Sequence, residues 1–242
     1  MILWPQADGS VLATPQPAHA LISGQLMRAL AEPPAPFEAV CTAAAQHDCP
    51  WMPWEAAPDF DPETGLPMLF TALPGTRHVP MWEEGVRVAL ANWGLWVGLL
   101  VLLHGTHIYR RSLASGGATS TPGDASALEA YIAREPAWSA AIMRELGVTE
   151  AQVRPQQQKL AMVDGIALAL CWGKVEFGCG PTTLRRSGDF SASLDPWPLA
   201  PDSLTVTTEA RRLPARFPDA ASMRAGLAGA PVVPLSFTLH RA

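Results

Sequence analysis

Asp164 stands inside an apolar stretch, with Met162 and Val163 before it and Ile166, Leu168 and Leu170 after it. The spacing predicts a helix. A carboxylate in the middle of such a helix is costly unless it is paired, hydrogen-bonded or metal-bound. Any fold for this chain must therefore bring partners to that one side chain. An arginine or a helix cap supplies them in a structural reading; histidines and an ion supply them in a functional one.

The histidines are there. His47-Asp48 closes a small, helix-favouring run that ends Ala43-Ala44-Ala45-Gln46 and is followed by a Pro50-Trp51 turn. His19 lies upstream, in the first turn of a predicted helix from Ala18 to Leu30. His104 and His107 lie downstream, three residues apart and so on one face of a helix predicted from Gly94 to Arg111. Histidine and aspartate suit a divalent metal of intermediate softness.

The remaining pattern is mostly helical. Residues 1–14 read as a β-hairpin turning at Asp8-Gly9. Helices are predicted over Phe37–Asp48, Met81–Ala91 and Ala127–Leu146, the last broken at Pro136. Another starts at a Thr149 cap and ends near Cys171-Trp172. Residues 49–80 hold seven prolines and read as an ordered excursion anchored by Trp51, Trp54 and Phe70. Ser112 to Ser126 reads as a flexible loop. After Gly173 only Leu204–Thr207 and Leu235–Leu239 alternate with period two, giving a loop-rich β segment over 173–242.

These readings predict a single domain of residues 1–242, mainly α, with a helical metal-binding core over 18–172. Small antiparallel β elements from the N- and C-terminal segments complete it. The net charge is −5 and there is no block of lysine or arginine, so nucleic acid and anionic membrane surfaces are not expected partners. The longest apolar run, Leu95–Leu103, is about half of what a membrane span needs. There is no basic n-region before an apolar core, and the four cysteines lack C-x-x-C spacing. The expectation is a cytoplasmic protein with reduced thiols.

The order His19, His47-Asp48, Asp164 resembles that of the HD superfamily, whose helical fold supplies metal ligands as H…HD…D. The chain is more closely similar to the DUF3891 family of bacterial proteins. That likeness rests on His19 with Leu-Ile-Ser-Gly-Gln-Leu after it, and on His47-Asp48 followed by Trp51, Trp54-Glu55 and Pro58. It rests also on Asp61-Pro-Glu-Thr-Gly-Leu-Pro67, on His104, and on Asp164-Gly-Ile-Ala-Leu-Ala-Leu-Cys171. One departure is Ala167, where a polar residue such as serine is expected. The resemblance implies an HD-domain-like helical bundle.

The superfamily likeness implies metal-dependent hydrolysis of a small phosphorylated substrate by a metal-activated water. His19, His47, Asp48 and Asp164 are the expected ligands of Mn, Fe, Zn, Ni or Mg, as one or two ions. His104 and His107 are the expected catalytic groups. Trp51, Trp54, Gln25 and Arg110 are candidates for substrate contact; Arg28, Arg77 and Arg87 are candidates only by type. The alternatives are a di-iron oxygenase on the same scaffold and a non-catalytic metal- or ligand-binding regulatory protein.

Overall fold

The computed structural model describes residues 1–116 and 121–242. The chain opens with strands β1 (Ile2–Pro5) and β2 (Val11–Thr14), then helices α1 (Gln16–Arg28) and α2 (Phe37–Gln46). A short helix α3 (Met52–Glu55) and a small hairpin, β3 (Phe60–Asp61) and β4 (Leu66–Pro67), follow. Four long helices come next: α4 (Gly75–Trp93), α5 (Leu95–Ser115), α6 (Pro122–Leu146) and α7 (Glu150–Cys171). The last third holds β5 (Glu176–Cys179), β6 (Thr182–Gly188), β7 (Ser191–Asp195), β8 (Ser203–Leu213), α8 (Ala220–Gly229) and β9 (Val232–Arg241).

The mainly-α expectation is corrected by the sheet. Seven strands form one sheet in the order β1-β2-β8-β9-β7-β6-β5, curled into a half-barrel, and 21% of the chain is strand. This is an α/β architecture, not an all-α HD-like bundle with minor β additions. The sheet is mixed: β7 pairs with β9 in parallel and the other neighbours are antiparallel. The N-terminal hairpin is one end of this sheet, since Val11 of β2 pairs with Leu213 of β8. Strands β5 to β7 escaped the sequence reading because Arg, Ser, Thr and Gly dilute their alternation, as in Thr-Thr-Leu-Arg-Arg-Ser-Gly of β6. Strand β8 is longer than its four alternating residues suggest. Past Val206, its inward Thr208 and Ala210 are polar or small, yet each is buried.

Prolines also misled the helix boundaries. Helix α4 runs through Pro80 and begins six residues earlier than predicted, at Gly75. Helix α6 runs unbroken through Pro136. A proline inside a helix removes one hydrogen bond. Tertiary burial of His78, Val79 and Trp82 in α4, and of Tyr131, Glu135 and Ser139 in α6, outweighs that loss. The predicted loop from Ser112 to Ser126 is narrower, because α5 continues to Ser115 and α6 starts at Pro122; residues 117–120 of that loop lie outside the described residues.

Helix α5 is the central rod. Val97 and Leu99–Leu102 are each at most 1% exposed. Each such side chain contributes about 1.5–3 kcal/mol by leaving water. Two glycines let neighbouring helices close in. A Cβ at Gly24 of α1 would lie 2.7 Å from the Ala45 Cβ of α2, and one at Gly105 of α5 would lie 2.4 Å from the Trp82 indole of α4. The sheet packs on the other side of α1 and α7. No helix among the described residues is long and apolar enough to cross a membrane. All four cysteines are free and buried.

Candidate metal centre

Four helical elements deliver five side chains to one point. His19 comes from the first turn of α1, His104 from the middle of α5 and Asp164 from α7. His47 caps the end of α2, and Asp48 is the next residue, in the turn before Cys49–Trp51. That turn frees the doublet from the helical constraint that would splay adjacent side chains by about 100°. The predicted helix end at Asp48 is therefore corrected to Gln46, and the change permits the convergence.

The geometry is tight. The Nε2 atoms of His19 and His47 lie 3.0 and 3.2 Å from the same Asp164 Oδ1. Asp48 Oδ2 is 3.3 Å from His19 Nδ1 and 3.6 Å from His47 Nε2. His104 Nε2 is 3.7 Å from Asp164 Oδ2. The rings of His47 and His104 meet edge to face, with centroids 4.8 Å apart. Two overlapping trios, His19-His47-Asp164 and His47-Asp48-His104, each hold their ligand atoms within 4.8 Å of one another.

Backbone carbonyls fix two tautomers. His19 Nδ1–H donates to Gln16 O at 2.6 Å, and His47 Nδ1–H donates to Ala44 O at 2.8 Å. A carbonyl only accepts, so the proton on each Nδ1 is committed and each Nε2 faces a carboxylate oxygen that also only accepts. That arrangement requires positive charge between them, as protons or as one cation. Metal-binding histidines characteristically donate their second nitrogen to a carbonyl or carboxylate in this way. Ligand atoms around an ion at about 2.0–2.2 Å are about 3.0–3.5 Å apart in octahedral or tetrahedral sites, close to the separations found here. The donor set fits a divalent first-row metal.

Electrostatics agree. Burial disfavours a charged His47, but Asp48 and Asp164 outweigh it and raise the ring to about 9. Burial raises Asp48. Asp164 is held well below the usual carboxylate range: burial opposes ionisation, and contacts with His19 and His47 overcome it. Burial pushes His104 down to about 3, so it stays neutral, and its Nδ1 is buried without a hydrogen-bond partner.

Asp164 is the least buried member of the cluster. The other four side chains are at most 4% exposed, while that of Asp164 is 17% exposed. Its helix neighbours Met162 and Gly165 line a cleft of about 1080 Å³, together with His107, Arg111, Arg154 and Cys179. His107 is half-buried, and burial together with the Arg111 charge lowers its pKa. Arg110 lines the same cleft. Sequence reasoning singled out Arg110 but missed Arg111, Arg154 and Lys159, which reach the cleft from α5 and α7. Arg110, Arg111 and Arg154 make no ion pair with any described residue, whereas Lys159 pairs with Glu32 at 3.2 Å. The other candidates by type are engaged elsewhere: Arg28 with Glu38, Arg77 with Asp59 and Arg87 with Glu84.

Three predicted substrate residues are not brought to this cleft. Trp51 is 3% exposed and packs against Trp54, Phe70 and His78. Trp54 donates its indole N–H to Asp59. Gln25 is tied to the backbone of Thr207 in β8, donating to its carbonyl and accepting from its N–H. The excursion over 49–80 is ordered, but its tryptophans are core anchors and not a wall of the cleft. His78 is a separate buried histidine, satisfied by Tyr109 at 2.8 Å. Ala167 is fully buried.

Comparison with curated proteins and with solved structures returned no match. One family matches residues 1–215, described as a protein of unknown function, DUF3891. The match takes in all five clustered side chains and ends just past β8. Strand β9, which lies between β8 and β7 in the sheet, falls beyond it. On that coverage the chain belongs to the DUF3891 family.

Proposed function

We propose that the protein is a metal-dependent hydrolase of a small phosphorylated substrate. The observation that carries this reading is the pair of Nε2 atoms, on His19 and His47, aimed at one Asp164 oxygen near a cleft whose arginines make no ion pair with any described residue. Asp48 completes the ligand set and His104 offers a fifth donor. When bound, a divalent ion of the Mn, Fe, Zn, Ni or Mg type lowers the pKa of a coordinated water and polarises a phosphoryl oxygen.

The chain's own residues do the rest. Arg110, Arg111 and Arg154 bind the phosphoryl group, which suits the planar fork of guanidinium better than a point charge. The buried side chains around His47 exclude bulk water from the cluster except at the partly exposed Asp164. His107, at the cleft and with its pKa lowered, is placed as a neutral ring to take a proton from the attacking water or to hydrogen-bond a phosphoryl oxygen.

The two overlapping ligand trios share His47, whose Nδ1–H is committed to Ala44. One free nitrogen binds one ion, so the trios describe a single ion. This favours the hydrolase over the di-iron oxygenase. The likeness to the HD superfamily rests on the ligand order His19, His47-Asp48, Asp164 and extends no further.

The test is metal analysis of the purified protein and of Asp164→Ala, followed by a phosphomonoester and phosphodiester panel with each candidate metal. The expected result is about one ion per chain, lost in the variant, with turnover of at least one ester class. Metal uptake unaffected by Asp164→Ala sinks the site. Normal uptake with no turnover leaves a non-catalytic binding protein.

A further inference from the structure

A second cavity, about 810 Å³, lies between α5, α6 and α7. It shares His107, Arg110, Arg111, Arg154 and Gln157 with the first cleft, so the two form one groove with the arginines at its waist. Leu103, Met143 and Val153 give it apolar walls. Glu135 and Thr106 line its inner end.

Glu135 is the unexplained group. Its residue is 7% exposed, and its hydrogen-bond partner is the neutral hydroxyl of Thr106 at 3.2 Å. No cation of the described residues pairs with it. A buried carboxylate with no positive partner is unfavourable, and the cavity it lines offers room for one. Meanwhile the three exposed guanidinium groups at the waist have no anion partner among the described residues. The groove is thus negative at its closed end and positive where it meets the metal centre.

We propose that this cavity receives the organic half of the substrate and selects phosphate esters that carry an ammonium group, which Glu135 binds. The proposal rests on the hydrolase reading for its phosphate end. Thr106, which touches Glu135, and Arg110 are four residues apart on α5, an axial rise of about 6 Å. That span suits an aminoalkyl chain of a few carbons, with apolar lining beside it.

The test compares 3-aminopropyl phosphate with propyl phosphate by calorimetry, in the unmutated protein and in Glu135→Gln, both checked for folding by circular dichroism. A charge-assisted contact predicts that the amino ester binds about tenfold to a hundredfold more tightly in the unmutated protein. The preference is expected to vanish in Glu135→Gln, with propyl phosphate affinity unchanged. Equal affinity of the two esters for the unmutated protein overturns the proposal, as does failure of both to bind. So does a preference that survives in Glu135→Gln. If the esters bind equally but are hydrolysed, the hydrolase reading stands and the selectivity pocket falls. If the amino ester binds selectively but no metal supports turnover, the pocket stands and the hydrolase reading falls.

Discussion

His104 Nε2 and Asp164 Oδ2 stand 3.7 Å apart, too far for a hydrogen bond, and the other ring nitrogen of His104 is buried without a partner among the described residues. A core histidine chosen only for packing would be satisfied, as His78 is by Tyr109. The expected outcome is that His104→Ala lowers metal affinity about 10–100-fold, the range for removing a group that supports a site. His107→Ala leaves metal affinity intact and lowers turnover. Metal titrations of the two variants by calorimetry decide this, and equal, near-normal affinity in both confines the site to the other four side chains.

Metal is expected to stabilise the fold. An ion that binds only the native state adds about 2.7 kcal/mol at a free concentration one hundred times its dissociation constant. Added Mn²⁺ or Zn²⁺ therefore raises the Tm of the unmutated protein by several degrees. It leaves Asp164→Ala and His47→Ala unmoved. Thermal scans with and without chelator read this directly.

The arginines at the cleft are predicted to act on binding. Arg154→Ala and Arg111→Ala are each expected to raise KM for a phosphorylated substrate about tenfold to a hundredfold, from the loss of one charged hydrogen bond. Arg28→Ala and Arg87→Ala, whose partners are exposed glutamates, change KM little. Steady-state kinetics on the four variants separates cleft from surface.

Gly85 faces Pro50 so closely that a Cβ would lie 2.4 Å from the proline ring and 2.5 Å from its Cα. Pro50 is two residues after Asp48. Gly85→Ala is expected to destabilise the protein by about 1–3 kcal/mol by overpacking. It is also expected to weaken metal binding by displacing the turn that carries Asp48. Chemical denaturation and metal titration of the same variant test both parts, and a drop in stability with unchanged metal affinity shows that the turn adapts.

Asp124 gives a pH signature far from the metal centre. It accepts from the Thr76 backbone N–H, the Thr121 hydroxyl and the Thr76 hydroxyl, which hold its carboxyl at about 2 rather than 3.8. A depressed native pKa contributes stability above the unfolded value and loses it as pH falls through the native value. Asp124→Asn is therefore less stable than the unmutated protein at pH 7. The gap narrows as pH falls below about 4 and closes only once pH is below about 2. A gap that stays constant over that range shows that the carboxylate charge is not what joins α6 to the start of α4.

Much of the site was legible in the sequence because its residues are conspicuous where they stand. Asp164 among aliphatic side chains, His104 in the most apolar helix and His47-Asp48 before a proline turn each pose a problem that convergence solves. Arg154 was not legible. Nothing along the chain says that the rotation of α7 sets it beside Arg110 and Arg111 of α5, more than forty residues away. Glu135 was hidden in the same way, since an amphipathic helix such as α6 carries several acids and only packing shows which is buried. The sheet was underestimated for a local reason. Its inward positions include Thr182, Ala192, Thr208 and Ala210, whose small or polar side chains are buried by the curl of the sheet but do not announce strands.

The pairing of Val11 with Leu213 sets the order in which the molecule can assemble. Every helix that carries a clustered side chain is synthesised between those two strands. The hairpin β1–β2 therefore emerges with one edge exposed and waits through about two hundred residues for β8 to close it. Contacts of such long range are slow to form, and an open strand edge is a template for the wrong partner. The five clustered side chains, by contrast, are all available once α7 is complete. A cation bound at that stage would hold α1, α2, α5 and α7 together before the sheet exists. Refolding in the presence of metal is accordingly expected to be faster and to aggregate less than refolding in chelator.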